Sequence, residues 1–458
     1  MSQERAAFLE CLVCPRCSGS LSAQADALQC NACGHSCPII GGIPWLYPFP
    51  AATHAEWQSR YNFFLQSLDN EVELIKGELR RTDLLVETAD RLRRVLQAKV
   101  EHGKSVRKLL EPVGAGGEGS LELSMAGKVK LPENQSLMAY YANVLRDWSW
   151  EGDENTRCLQ AIDKVVPAGF KPASMVVFGA GACRLPVDLH EQWQPKVTVA
   201  FDINPFLFLA ARKILKGQSL TLYEFPMAPR EREGFAIARK CKRVEGEVRA
   251  GFHLVHADAL NAPAKSASFD AALTPWFIDI VPQDFRDFAR RVNHVLRMGG
   301  TWVNFGSLAF FHRSQAMCYS RGEALKVLEG SGFRVLSVNE DLIPYLHSPA
   351  SCQERWERVF CFAVEKIADV PAPAPFGFLP EWLTDHDIIV PLLPEFERLI
   401  LVNRTYADIV SLVDGRRSVA QVAAVLAPQL ALTPEFTCGV VAALLTNVYE
   451  STLRGGQF

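Results

Sequence analysis

Residues 175–186, MVVFGAGACRLP, decide the fold. Met175 to Phe178 form an unbroken apolar run that ends in Gly179, Ala180 and Gly181, and a helix-like segment follows. Such a run reads as a strand buried on both faces, and a Gly-x-Gly turn directly after it lets the backbone approach a nucleotide. A second β-like run, VTVAFDIN (197–204), ends in Asp202. That is about 20 residues on, the spacing at which a carboxylate meets a ribose held at the first turn. A third, FHLVHAD (252–258), ends in Asp258. LTPWFIDIVP (273–282) and TWVNFGSLAFFH (301–312) place Asp279 and His312 after further strand-like runs, where open α/β sheets keep their reactive groups. The row implies an α/β enzyme.

At 458 residues the chain exceeds what one core holds economically, so two or three domains are expected. A formal charge of −3 gives no global reason to expect nucleic acid as a partner. The start, MSQERAAFLE, lacks the pattern of a secretion signal, and no run approaches the roughly 18 apolar residues of a membrane span. No membrane partner is expected, and the expected location is cytoplasmic. Thirteen cysteines without a secretion signal argue against a disulfide framework. Those scattered from Cys158 to Cys438 read as buried thiols packing like small hydrophobes.

Composition divides the chain further. Residues 1–50 are a short Cys-rich unit. Residues 51–136 carry apolar residues at spacings of three and four, among them Leu65, Leu68, Val72, Ile75 and Leu79. This predicts two or three amphipathic helices, with a Gly-rich loop at 113–120. Residues 137–370 hold the α/β core, with an insertion at 216–251 read as a solvated cap over the sheet edge. PAPAPFGFLP (371–380) is a Pro-rich linker. Residues 381–458 form a small domain with two β-like runs and then three helices, a winged-helix-like order. Its middle helix, VAQVAAVLA, is apolar and uncharged, unlike one that reads a nucleic-acid groove.

Cys14-Pro-Arg-Cys17 and Cys30-Asn-Ala-Cys33 are two C-x₂-C pairs separated by twelve residues. Two such knuckles supply four thiolates to a tetrahedral zinc, and a unit this short needs the metal to fold alone. Four cysteine ligands leave no open position, so the expected zinc is structural. The run CPRCSGSL through LQCNACGHSCPIIGGIPWLYP resembles the small zinc-ribbon family that accompanies and activates RNA and protein methyltransferases.

A Gly-x-Gly turn serves nicotinamide, flavin and S-adenosylmethionine sites alike, so the later elements must discriminate. FHLVHAD, TPWFID, then VLRMGG turning into TWVNFG resembles the order of a Rossmann-like class I S-adenosylmethionine-dependent methyltransferase. More narrowly, RDWSWEGDENTR, FGAGACRL, LTPWFIDIV, VLRMGGTWVNFGSLAFFH and RVFCFAVEK resemble, in order, signature segments of the carnosine N-methyltransferase family. The resemblance implies S-adenosylmethionine as methyl donor. Asn143 and Arg146 would reach its amino-acid carboxylate, Gly179 and Gly181 would lie against it, Asp202 would hold the ribose and Asp258 the adenine. Arg184 is either a second clamp or a helix-surface charge.

The resemblance also implies an imidazole acceptor met by Asp279 and His312. A carboxylate accepting the N–H of a neutral imidazole fixes its tautomer and enriches the other nitrogen. Two departures stand out. SCQERWERVF replaces the family's tyrosines before its closing strand, so Trp356 and either Glu354 or Arg355 take the place of phenols that would line the pocket, with Tyr345 upstream as the compensating ring. Cys183 stands where the glycine turn usually has a third glycine, which would crowd the donor.

The expected function is N-methylation of an imidazole in a histidine-containing small molecule or peptide. An O- or S-methyltransferase of a small metabolite or modified peptide is the alternative, and a non-catalytic peptide-recruiting scaffold is another. VNRTYADIVSLVDGRRSVAQVAAVLA resembles PqqD-type domains, which implies leader-peptide binding by strand addition; a plain packing domain is the other reading. Loss of the first cysteine knuckle is expected to lower solubility more than donor affinity.

Overall fold

Alternate residues of the run at 175–178 go to opposite sides of a sheet. Met175 and Val177 join one apolar layer, and Val176 and Phe178 join the other. The computed structural model describes residues 3–114, 137–243, 246–310, 312, 314–375 and 389–453. The chain divides into two units, Met1–Phe376 and Gly377–Phe458.

The first unit begins with α1 (Gln3–Glu10) and a four-stranded antiparallel ribbon of β1 (Leu21–Ala23), β2 (Ala27–Cys30), β3 (Ser36–Ile40) and β4 (Ile43–Pro44). Two long helices, α2 (Pro50–Glu78) and α3 (Val86–Gly114), pack on each other as the periodicity predicts. The Gly-rich loop expected after them lies, from residue 115 on, outside the described residues. Helices α4 (Tyr141–Trp148) and α5 (Glu154–Asp163) lead into the core.

The core alternates strand and helix: β5 (Ser174–Phe178), α6 (Arg184–Trp193), β6 (Val197–Asp202), α7 (Pro205–Leu215) and then a hairpin of β7 (Leu220–Glu224) and β8 (Ile237–Cys241). It continues with β9 (Phe252–His256), β10 (Phe269–Pro275), α8 (Phe285–Val295), β11 (Leu296–Phe305), α9 (Arg321–Gly330), β12 (Phe333–Pro344) and β13 (Trp356–Lys366). The sheet order is β12-β13-β11-β10-β5-β6-β9. The five strands from β11 to β9 are parallel, and β13 runs antiparallel to both neighbours. This is the Rossmann-like α/β arrangement, with its order reversing between β5 and β10, where such sheets open a crevice at the carboxyl ends of their strands.

Helix boundaries follow local chemistry. The Asn204 side chain accepts from the Phe206 amide (3.0 Å) and Pro205 takes the first turn of α7, which satisfies one orphan donor and pre-sets φ. α9 opens with a reciprocal Ser320–Glu323 capping box.

The N-terminal segment wraps the β9 edge of the sheet. Leu12 and Leu28 pack in the layer of Phe178 and Trp302, whereas Trp45 and Tyr47 pack in the opposite layer with Phe206. Between them the Leu46 amide donates to the His256 carbonyl (2.9 Å), and Trp45 pairs with His256 in parallel register. The insertion therefore does not act as a solvated cap over that edge. Its hairpin packs against α3 and α4, and the buried Glu224 accepts from Trp150 Nε1 (3.1 Å), Arg239 Nε (2.6 Å) and the Ser348 hydroxyl. A carboxylate with three donors stays inside because its charge is shared.

The second unit departs from expectation. The described residues from 389 onward form three helices, α10 (Pro394–Ser411), α11 (Val419–Leu430) and α12 (Pro434–Leu453), around Ile409, Val422, Leu426 and Val441. Part of what read as β-like is helix, started by Pro394, and among these residues there is no strand to form a wing or to receive an added peptide strand. α11 begins at the expected Ser418, in a capping box with Gln421. Among the described residues no single helix is long and apolar enough to cross a membrane.

His102, only 4% exposed, is ringed edge-on by Phe64, Tyr141 and Phe225. Burial first, and then the charge of Lys99, pulls its pKa down to about 4. The unfolded chain takes up this proton below about 6.5 and the folded chain does not, so stability drains away as pH falls from about 6.5 toward 4. His102→Phe is expected to shrink the loss of unfolding free energy between pH 7 and pH 4.5 by about 2 kcal/mol, measured by denaturant titration at both values. An unchanged acid limb would contradict the account.

Candidate active site

The crevice is built around the glycine turn after β5. The amides of Gly179 and Ala180 both donate to the Phe201 carbonyl (3.0 Å each), and the Gly181 amide donates to Asp202 Oδ2 (2.8 Å). Asp202 Oδ1 accepts from the Asn204 amide (2.8 Å). Burial raises the Asp202 carboxyl above the usual carboxylate range, against the pull of these backbone donors. Gly179 has φ +69°, and a Cβ there would collide with the Phe277 ring, so both backbone and space demand glycine.

α4 docks directly on this turn. Trp148 Nε1 donates to the Ala182 carbonyl (2.7 Å), and the Arg184 amide donates to Asp147 Oδ2 (3.3 Å). Asn143 lies 3.9 Å from where a Gly181 Cβ would be, and its buried Oδ1 has no partner. Arg146 is partly buried, its Nε on Asp147 (2.7 Å) and its Nη1 3.6 Å from Glu154. Arg184 pairs with Asp188 (2.7 Å) beside the Trp148 ring and donates through Nη1 to the Asp147 carbonyl (3.3 Å). Cys183 is fully buried at φ +71° as the N-cap of α6, a left-handed position held without glycine.

Asp258 follows β9, whose register sets His256 opposite Asp202. Its carboxylate accepts from the Leu260 amide and from Asn261 Nδ2 (2.9 Å each), and burial raises its pKa. Asp279 follows β10. Its Oδ2 accepts from the Ser307 hydroxyl and the Ala309 amide (3.0 Å), and burial raises this carboxyl too. The loop after β11 thus holds the group that follows β10. His312 belongs to the same loop, its ring 6.3 Å from Phe310 and its buried Nε2 unpartnered.

Three residues at this crevice escaped the sequence reading. Trp276 adopts φ +53°, donates its amide to the Phe305 carbonyl (2.6 Å) and sets its ring 4.7 Å from Tyr345. Gly306 permits this, since a Cβ there would lie 3.0 Å from Trp276 Cα. Tyr140, at φ +63°, has its hydroxyl pKa raised by burial and then by the charges of Tyr345, Asp202 and Asp279. Left-handed backbone at non-glycine residues costs about 1–3 kcal/mol each and is held only by its surroundings. Ser307 is the third, through its bond to Asp279.

Trp356 is 44% exposed, with the Arg157 guanidinium 5.8 Å from its ring. Successive strand residues face opposite ways, and the next one, Glu357, is the one whose charge reaches Asp279 and Tyr345.

The four cysteines of the two knuckles come together, all Sγ atoms within 4.8 Å of one another. Cys14 and Cys33 are 3.8 Å apart and Cys17 and Cys30 3.5 Å. A tetrahedral ion with bonds of about 2.3 Å needs sulfurs about 3.8 Å apart, so the set fits zinc. The Arg16 and Ala32 amides also point at Cys14 and Cys30 sulfur (3.4 Å each).

The family model of carnosine N-methyltransferase matches residues 126–366, more than half of the chain. The chain belongs to the carnosine N-methyltransferase family. It is an S-adenosylmethionine-dependent methyltransferase, and its unpartnered Asn143 Oδ1 and Cβ-free glycine turn suit that donor. A search of curated proteins finds no match. Among solved structures, the chain is similar to a SAM-dependent methyltransferase from Methanosarcina mazei. Identity is 13% and the TM-score 0.31, over 45% of this chain and 96% of that one. It is also similar to the phosphoethanolamine N-methyltransferase 2 of Haemonchus contortus (12% identity, TM-score 0.33, 50% of this chain and 57% of that one).

Gly179→Ala is expected to weaken binding of S-adenosylhomocysteine at least tenfold by calorimetry while leaving the circular dichroism spectrum of the sheet intact. Unchanged affinity would show that the turn does not carry the donor.

Proposed function

We propose that this methyltransferase N-methylates an imidazole nitrogen in a histidine-containing small molecule or peptide, with Asp279 and His312 orienting the acceptor. The observation that carries the reading is the buried Asp279 carboxylate, anchored through Oδ2 by Ser307 and Ala309 at the end of β10, with the glycine turn of β5 between it and Asp202 at the end of β6. An acceptor bound to Asp279 would thus lie beside a donor bound over Asp202.

A neutral imidazole offers one N–H and one lone pair. Asp279 accepts the N–H, which turns the lone pair of the other nitrogen toward the donor, and the unpartnered His312 Nε2 holds a polar group of the same substrate. Bound S-adenosylmethionine supplies an electrophilic methyl group and departs as a neutral thioether. As the new N–C bond forms the ring gains positive charge, which Asp279 and the nearby Glu357 stabilise before the N–H proton leaves through Asp279. Trp276 and Tyr345, packed edge to face, supply an aromatic wall, so in-line placement contributes much of the rate. Asn143 and Arg146 serve the donor's carboxylate, with Arg146 turning from Asp147 and Glu154 to do so.

Asp279→Asn is expected to lower turnover on a histidine-containing dipeptide by about 100-fold while S-adenosylhomocysteine affinity stays within about threefold. Unchanged turnover, or turnover and donor binding lost together, would sink the assignment of Asp279.

Zinc on the four thiolates is part of the same proposal, supported by the sulfur spacing. Elemental analysis of the purified chain is expected to give one zinc per molecule, lost in Cys30→Ser with Cys33→Ser. A metal-free native chain would contradict it.

A further inference from the structure

Tyr47 carries a buried hydroxyl with no hydrogen-bond partner, in a part of the molecule that the methyl-transfer reading leaves unused. Leaving such a group unsatisfied costs about 1–3 kcal/mol, so its persistence asks for a partner. Its position suggests one. Leu46 bonds His256 at the end of β9, His256 stands opposite Asp202, and Asp258 lies two residues further on. The Tyr47 ring is 5.4 Å from that of His256, and Trp45 stacks on the other ring contact of the same histidine at 4.0 Å. The charges of Asp258 and Asp202 both reach the Tyr47 hydroxyl and, after burial, raise its pKa further.

The cysteine knuckles hold this stretch from two sides. His35, two residues after Cys33, donates through Nε2 to the Tyr47 carbonyl (2.9 Å). Arg16, between Cys14 and Cys17, donates through Nε to the Pro48 carbonyl (2.8 Å) and lies 5.1 Å over the Phe49 ring. Each clamp springs from a turn that the four-thiolate site shapes.

We propose that the Cys-rich module is a working part of the donor site: its knuckles set residues 45–47 as the adenosine-side wall, and the Tyr47 hydroxyl bonds the donor's adenosine. Order at the four cysteines then sets donor affinity, the reverse of the expectation that losing a knuckle spares it. The inference rests on the placement of the donor over Asp202 and Asp258.

The test is calorimetry of the zinc-loaded full chain with S-adenosylhomocysteine and with 5′-methylthioadenosine, which keeps the adenosine and lacks the amino acid. Tyr47→Phe removes only an unpartnered oxygen and leaves the fold intact; it is expected to weaken both ligands about fivefold. Arg16→Ala, which keeps all four cysteines, is expected to weaken both at least threefold at unchanged zinc content. Unchanged affinity in either variant overturns the inference, as does a loss confined to S-adenosylhomocysteine, which would put Tyr47 at the amino-acid end. Asp202→Ala separates the two levels of the argument. Binding lost there but kept in Tyr47→Phe refutes the present inference alone, whereas binding kept in Asp202→Ala refutes the donor placement itself.

Discussion

The Asp202 carboxylate sits 2.8 Å from the Gly181 amide, and much of the first unit is arranged around that bond. It ties the end of the second core strand to the turn after the first, and backbone donors hold the buried carboxylate on both oxygens. A hydrogen bond to a charged group contributes about 1.5–3 kcal/mol, enough to fix a short glycine turn in one shape. From the turn the constraint spreads outward. Phe277 can cover Gly179 only because no Cβ is there, α4 docks through Trp148 on Ala182, and β9 brings Asp258 alongside. In the proposed function the same carboxylate that shapes the turn would meet the donor ribose.

Around this turn, several non-glycine residues are held in strained backbone. Tyr140, Cys183 and Trp276 all take left-handed conformations without being glycine, and all three lie at the crevice or its floor. Tight packing over-determines them: Trp276 between Phe305 and Tyr345, Cys183 beneath the turn with no solvent contact. Asp279 is kept in place from the neighbouring strand's loop, so Asp202 and Asp279 are braced by different strands of one sheet.

The core was legible in the sequence because its strands are buried on both faces and so read as continuous apolar runs that end in Asp202, Asp258 and Asp279. The cysteine knuckles were equally legible, since spacing alone brings two sulfurs of each pair to one point. What escaped depends on information that lies between segments. The inward turn of Glu357 and the outward turn of Trp356 depend on strand register, which composition does not fix. Short apolar runs before Asn403 fit strand or helix, and Pro394 at the first turn settled them as α10. The left-handed backbone at Tyr140 and Trp276 has no signature in residue type. Nor did any motif tell that the N-terminal segment wraps the β9 edge, because the bond from Leu46 to His256 joins residues more than 200 apart in the chain.

The claim on which the functional account stands is that the acceptor atom is an imidazole nitrogen. Incubating the purified chain with methyl-labelled S-adenosylmethionine and a histidine-containing dipeptide, then locating the label by tandem mass spectrometry and nuclear magnetic resonance, tests it directly. The account predicts one labelled methyl group on a ring nitrogen. Label on oxygen or sulfur of other small molecules, with none on any imidazole offered, would contradict it.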